Sequence, residues 1–275
     1  MTLSIFLLVL LAAITHASWN ALVKVSGDSA VVMGVISAVG GLAGLVALPF
    51  VAPPEPESWR YLALTTAIHL GYYVFLVRAY QSGDLNQIYP IARGGSPLVL
   101  ALVSWPVIGE ALSWGQYAGV GLISIGIAVL ALGRGNRRSL MFAAATACAI
   151  AAYSATDALG VRSSGSPFGY IAWLFFLDGT AMAALTLWSR GRAVFALARR
   201  DWLRAAAGGL LSVIGYAIVV RCYAIGPVAP ISALRETSVL IAALIGSLVL
   251  NETFGARRVA ASAVVVAGIF VMSIA

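Results

Sequence analysis

Ten stretches of roughly twenty mostly apolar residues, joined by short connections rich in Gly, Pro and Ser, take up almost the entire chain. They lie near Leu3–Val23, Val31–Val51, Tyr61–Tyr80, Leu85–Ile108, Ser113–Leu132, Leu140–Gly160, Phe168–Trp188, Ala205–Ala224, Ala229–Leu250 and Arg258–Ala275. Each matches the length an α-helix needs to cross the hydrocarbon core of a bilayer, where backbone N–H and C=O groups must bond within their own segment. The runs are too long, and too continuously apolar, for the alternating strands of a membrane barrel. Composition agrees: 61% of the 275 residues are hydrophobic, 10% are charged, and mean hydropathy is +0.97. A soluble domain carries about 25% charged residues and needs a polar exterior, so lipid is the solvent for most of this surface. Met1–Ser4 holds no Lys or Arg and the first run continues past Ile14, which reads as a retained helix and not as a signal peptide.

The net charge of +7 and pI of about 9.8 would suggest a nucleic-acid partner in a soluble protein. Here the basic residues sit in connections between apolar runs, with no basic stripe and no nucleic-acid motif, so that class is excluded. Their distribution instead predicts orientation. Connections after odd-numbered spans hold twelve Lys and Arg (Lys24, Arg78, Arg134, Arg137, Arg138, Arg190, Arg192, Arg199, Arg200, Arg204, Arg257, Arg258), against three after even-numbered spans (Arg60, Arg162, Arg221). This places the odd connections in the cytoplasm and both termini outside it. The segment "SRGRAVFALARRDWLR" reads as a basic interfacial turn, and Cys148 and Cys222, in separate apolar runs, read as small packing residues.

The chain repeats itself. Tyr73, Arg78, Tyr80, Gly83 and Ile88 reappear 143 positions later as Tyr216, Arg221, Tyr223, Gly226 and Ile231 (216 − 73). Arg93, Glu110 and Gly126 reappear 142 positions later as Arg235, Glu252 and Gly268 (235 − 93). Five spans per half is an odd number, so the second half must enter the membrane upside down. The expected fold is an all-α integral membrane protein, ten transmembrane helices in a 5+5 inverted repeat around a central cavity, with repeats over 1–133 and 139–275.

The strings "AYQSGDLNQIYPIARGGSPLVLALVSWPVIGEALSWGQYAGVGLISIGIAVL" and "CYAIGPVAPISALRETSVLIAALIGSLVLNETFGARRVAASAVVVAGIFVM" each run helix, Gly-containing turn, long helix ending in Glu, then a Gly-containing closing helix. On these the sequence resembles the drug/metabolite transporter superfamily, in its ten-helix branch of paired EamA-type domains, over essentially the whole chain. The resemblance implies a basket-like bundle with a central cavity that moves metabolites such as amino acids, often outward. The His in "THASWNALVK" stands where many relatives are apolar, so the resemblance carries no particular substrate.

Polar groups at membrane depth usually face protein or a watery path. On the first span His16, Trp19, Asn20 and Lys24 share one face, which reads either as interhelical hydrogen-bonding glue or as a cavity wall. His69, Tyr72, Tyr73 and Tyr80 align on the third span, and Ser212, Tyr216 and Tyr223 on the eighth. Tyr80 and Tyr223 fit an interfacial belt, while Tyr73 and Tyr216 lie deeper and are candidates for a symmetric aromatic pocket. Tyr153 and Asp157, then Trp173 and Asp178, extend the candidates on the sixth and seventh spans, with Asp157 close enough to its span end to reach an interface. Arg93 and Arg235, at matched positions, could snorkel, bind a substrate carboxylate through paired hydrogen bonds, or pair with a fixed acid and hold the halves together. Glu236 is the candidate coupling group for proton-driven transport. Glu110 and Glu252 read as caps for the helix that follows each. The glycines of "GVISAVGGLAGL" read as close-packing positions, and Pro90, Pro97, Pro106, Pro227 and Pro230 mark kinked or broken helices of the kind that flank transporter binding sites.

These features point to a secondary or facilitative transporter exporting small metabolites, with small molecules and lipid as its partners, without cofactor or nucleotide, since no GxxxxGK[ST] loop occurs. A multi-pass place in a bacterial inner membrane, and a monomer, fit this reading. A channel or scaffold is the alternative. A lipid-modifying enzyme would want clustered acids or a His/Asp set, whereas the acids here are scattered one to a segment.

Overall fold

The computed structural model describes residues 1–24, 29–82, 85–130, 137–249 and 256–274. Those residues are helical throughout, apart from short turns and 3₁₀ or π segments. Helices are α1 (Leu3–Lys24), α2 (Ser29–Ala47), α3 (Trp59–Ser82), α4 (Leu85–Val103), α5 (Trp114–Leu130), α6 (Arg137–Arg162), α7 (Pro167–Arg190), α8 (Arg199–Tyr223), α9 (Val228–Arg235), α10 (Ser238–Val249) and α11 (Ala256–Ser273). The ninth span is α9 and α10 in series, so eleven helices make ten crossings. Six of the helices are individually long and apolar enough to cross a membrane. One boundary shifts: α8 begins at Arg199 and not near Ala205, because Arg199–Arg204 form its first turns, with Asp201 and Arg204 paired at 3.1 Å.

All odd-numbered spans start, and all even-numbered spans end, at one face of the molecule. There Glu55 N–H donates to Ser164 O (2.8 Å), Ser166 Oγ to Ala52 O (2.9 Å), and Arg162 Nε to Tyr223 O (2.8 Å). Helix α1 begins at this face and α6, its counterpart, ends there: the halves are inverted. Contacts obey the same exchange. Helix α1 packs on α8 as α6 packs on α3, α4 packs on α6 as α9 and α10 pack on α1, and α2·α7 and α5·α11 are self-paired across the two-fold.

The self-paired contacts are built on glycine. A Cβ on Gly179 would stand 2.3 Å from Gly41 N, and one on Gly119 would stand 2.8 Å from Gly268 O, so only glycine lets these backbones approach so closely. Gly34, Gly41 and Gly44 all face α7 in this way. The outer surface is apolar, with Leu102 and Phe270 exposed, and exposed Trp105 and Trp114 at one end and Trp188 at the other give it an aromatic girdle at both interfaces.

The fourth and ninth spans each depart from regular helical bonding at matched positions, although α4 stays helical throughout. Pro97 has no N–H to offer the Arg93 carbonyl, which accepts instead from Ser96 Oγ (3.1 Å). In the second half Val239 N–H donates to Glu236 O (3.0 Å) rather than four residues back to Arg235, a 3₁₀ tightening across Glu236–Thr237. Both joints free the carbonyl of the matched arginine.

Candidate functional site

Arg93 lies about 12 Å along α4 from one face, and Arg235 about 10 Å along α9 from the other. Neither snorkels. Arg93 is 5% exposed and Arg235 3%, and both turn inward to Glu236, which is fully buried. Arg93 Nε stands 2.6 Å from Glu236 Oε2, while Arg235 Nη2 and Nε reach Oε1 at 3.1 and 3.3 Å. One carboxylate from the second half thereby joins guanidiniums from both. Arg93 Nη2 also approaches His16 Nε2 at 2.9 Å. A neutral imidazole has one lone pair to give, and the shorter contact claims it. Trp19 Nε1, 3.3 Å from His16 Nδ1, then serves mainly as an edge-on ring partner, with centroids 5.1 Å apart. Asn20 Nδ2 is spent on the carbonyl of His16 (2.7 Å). The Lys24 side chain lies outside the described residues.

A second cluster adjoins the first through Tyr216, whose ring faces the Arg235 guanidinium at 5.9 Å. The Tyr216 hydroxyl donates to Asp157 Oδ2, and Tyr170 donates to Asp157 Oδ1 (3.1 Å). Asp157 is fully buried, so it does not reach the interface: the two phenols hold it inward. Tyr153, one turn before it, stacks on His69 at 4.2 Å and meets Tyr216 edge-on at 6.1 Å. His69 Nδ1 lies 3.5 Å from Asp178 Oδ1.

Two halves, inverted and seamed by glycine, with a charged cluster where they meet, match one family throughout. The model of the EamA-like transporter family matches residues 3–132 and 138–274. The chain belongs to that family. No curated protein matches it. One crystal structure of a protein has the same fold at 21% identity, with a TM-score of 0.80 over 98% of each chain.

Within this EamA-like architecture the remaining candidates fall elsewhere. Tyr73 is half-buried on α3, where His69 and Tyr72 supply the ring contacts to Tyr153, at 4.2 and 5.8 Å. Trp173 packs on Trp59 (4.7 Å) and Phe176 (5.7 Å), about 9 Å along α7 from its start and more than a turn short of Asp178. Glu110 is a cap, though not for the helix that follows it: Oε2 accepts from Val228 N–H (2.9 Å) at the start of α9, while Oε1 holds Arg162 Nη2 at 2.5 Å. Helix α5 is capped by its own Ser113 and Gln116, each accepting the other's backbone N–H (2.9 and 3.1 Å). Arg162 also donates to Tyr223 O and Gly226 O, both at 2.8 Å, closing a clasp over a cleft of about 480 Å³. Glu252 and Gly83 lie outside the described residues.

Tyr170 escapes the sequence reading because an aromatic near a span start is ordinary in membrane proteins. Asp157 carried a usable signal: Asn20-Ala21-Leu22 recurs as Asp157-Ala158-Leu159, and one turn earlier His16 matches Tyr153.

Proposed function

We propose that this EamA-like transporter exports small carboxylate-bearing metabolites, amino acids among them, by alternating access in a bacterial inner membrane with both termini outside the cytoplasm. The observation that supports this most is the Arg93–Glu236–Arg235 cluster at the seam of the inverted halves. Glu236 serves two guanidiniums at once, and the bonds described for Arg235 use Nε and Nη2 on a single oxygen. A substrate carboxylate arriving beside Tyr216 could take over part of this coordination in fork geometry. Relief of the Arg93–Glu236 bridge would then loosen the contact between halves, which is how binding can trigger rocking. Burial of all three groups supports a carrier over an open pore, whose lining would be hydrated.

Arg235→Lys keeps the charge and loses the fork. In proteoliposomes, flux of a transported amino acid should fall about 10- to 100-fold, the equivalent of one charge-assisted hydrogen-bond pair. Flux of its methyl ester should change little. Equal losses for acid and ester would remove the carboxylate assignment.

A further inference from the structure

The acid–imidazole cluster has no role in holding a carboxylate. Asp157 and Asp178 are both acids within membrane-spanning helices, and among the described residues neither pairs with a guanidinium or ammonium group. Asp157 accepts two phenolic O–H bonds, which compensate a charge only in part. Oδ1 of Asp178 is buried and accepts no hydrogen bond, its one close polar neighbour being His69 Nδ1 at 3.5 Å. His69 lies near both acids: beside Asp178 at 3.5 Å, and edge-on at 6.4 Å to the Tyr216 ring whose hydroxyl holds Asp157.

Charge counting decides what this set holds. With both carboxyls ionised and the imidazole neutral, it would keep two negative charges inside hydrocarbon, which membranes strongly disfavour. Two protons taken up by the set make it neutral. The other titratable or charged groups facing it do not supply that balance. They are Tyr61 and Tyr72 on α3, Tyr153 on α6, Tyr170 on α7, and Tyr216 and Tyr223 on α8. Arg235 on α9 meets the Tyr216 ring and Glu236, and Arg93 on α4 is held by Glu236 and His16.

Depth fits the same assignment. His69 and Asp178 lie about 15–17 Å along their helices from the clasped face, near the bilayer midplane, and Asp157 about 8 Å from it. The side chains of His69 and Asp178 leave 13% and 27% of their surface uncovered by protein while Asp157 leaves none, so the set runs from a partly uncovered midpoint to a sealed acid beneath the clasp.

We infer that Asp178, His69 and Asp157 form a proton-binding site whose protons are exchanged for substrate during transport, an assignment resting on the carrier reading above. A proton binds at Asp178 or His69 from water on one side and departs from the set to the other, with only O–H and N–H bonds made and broken. The coupling group is therefore this set and not Glu236, which is committed to two arginines.

Infrared pH-difference spectra of the detergent-purified full chain should show a protonated-carboxyl band that titrates and is lost in Asp157→Asn. In proteoliposomes loaded with a pH dye and given a gradient of mixed neutral L-amino acids, wild type should move protons against the amino acids. Asp157→Asn and Asp178→Asn should lose that proton movement at least tenfold while amino-acid counterflow, which needs no net proton transfer, persists. His69→Gln should behave likewise. Proton movement intact in both Asp variants, or spectra unchanged by Asp157→Asn, would overturn the assignment. A titrating band that vanishes in Asp157→Asn, in a protein that carries no amino acid, would uphold the proton site and reject the carrier reading. Amino-acid flux without any titrating band would do the reverse.

Discussion

The guanidinium cluster and the acid–imidazole cluster touch through one tyrosine, yet they relate to the fold in opposite ways. Arg93 and Arg235 occupy matched positions in the two halves, reach inward from opposite faces, and close on a single acid. The two guanidiniums follow the two-fold and tie the repeats together through Glu236, whose matched position is Gly94. Asp157, His69 and Asp178 ignore it: the repeat sets Ser212 against His69 and Asn20 against Asp157. The duplicated scaffold supplies one guanidinium from each half, whereas His69 comes from the first half and Asp157 and Asp178 from the second, with no matched copy of the set. The guanidinium cluster should thus govern stability, and the acid–imidazole cluster the energetics of the proposed cycle.

The sharpest break in that contrast is Glu236→Ala. It strands two buried guanidiniums, and the loss on removing one partner of a buried ion pair is about 3–5 kcal/mol. Thermal unfolding in detergent should register it as the largest destabilisation of the set, and a variant as stable as wild type would deny the cluster its clamping role. Ser96→Ala comes next. The Arg93 carbonyl, already without its i+4 amide donor because of Pro97, would lose the Ser96 hydroxyl, at about 1–3 kcal/mol for an unsatisfied buried acceptor. The acid–imidazole cluster should be untouched, which the melting of a Ser96→Ala/Tyr170→Phe double variant can check through additivity. Tyr170→Phe is the mildest, removing one of two donors to Asp157 at about 1 kcal/mol. Its effect should appear in the titration of the carboxyl band more than in the melting temperature.

The ten spans could be read from the sequence because lipid demands a run of fixed length, and inversion followed from five being odd. Arg93 and Arg235 stood out as charges at equal places in a repeat. What stayed hidden depends on rotation about each helix axis, which hydropathy does not fix when a helix is apolar all round. So Asp157 looked near enough to its span end to find water, although the phenols of Tyr170 and Tyr216 turn it inward. Glu110 was correctly a cap, but sequence proximity chose α5, whereas Arg162 draws its carboxylate across to α9. A local capping rule cannot foresee a partner 118 residues away.

The glycine seams have a mechanical meaning. Where α2 meets α7 and α5 meets α11, glycines bring backbone close to backbone, as at Gly41–Gly179 and Gly119–Gly268. Such surfaces resist being pulled apart, because dispersion contact is broad, but offer little obstruction to sliding along their length. In the proposed alternating-access cycle, these seams on the two-fold axis are a pair of rails along which each half would shift against its twin without opening a gap to the surrounding lipid.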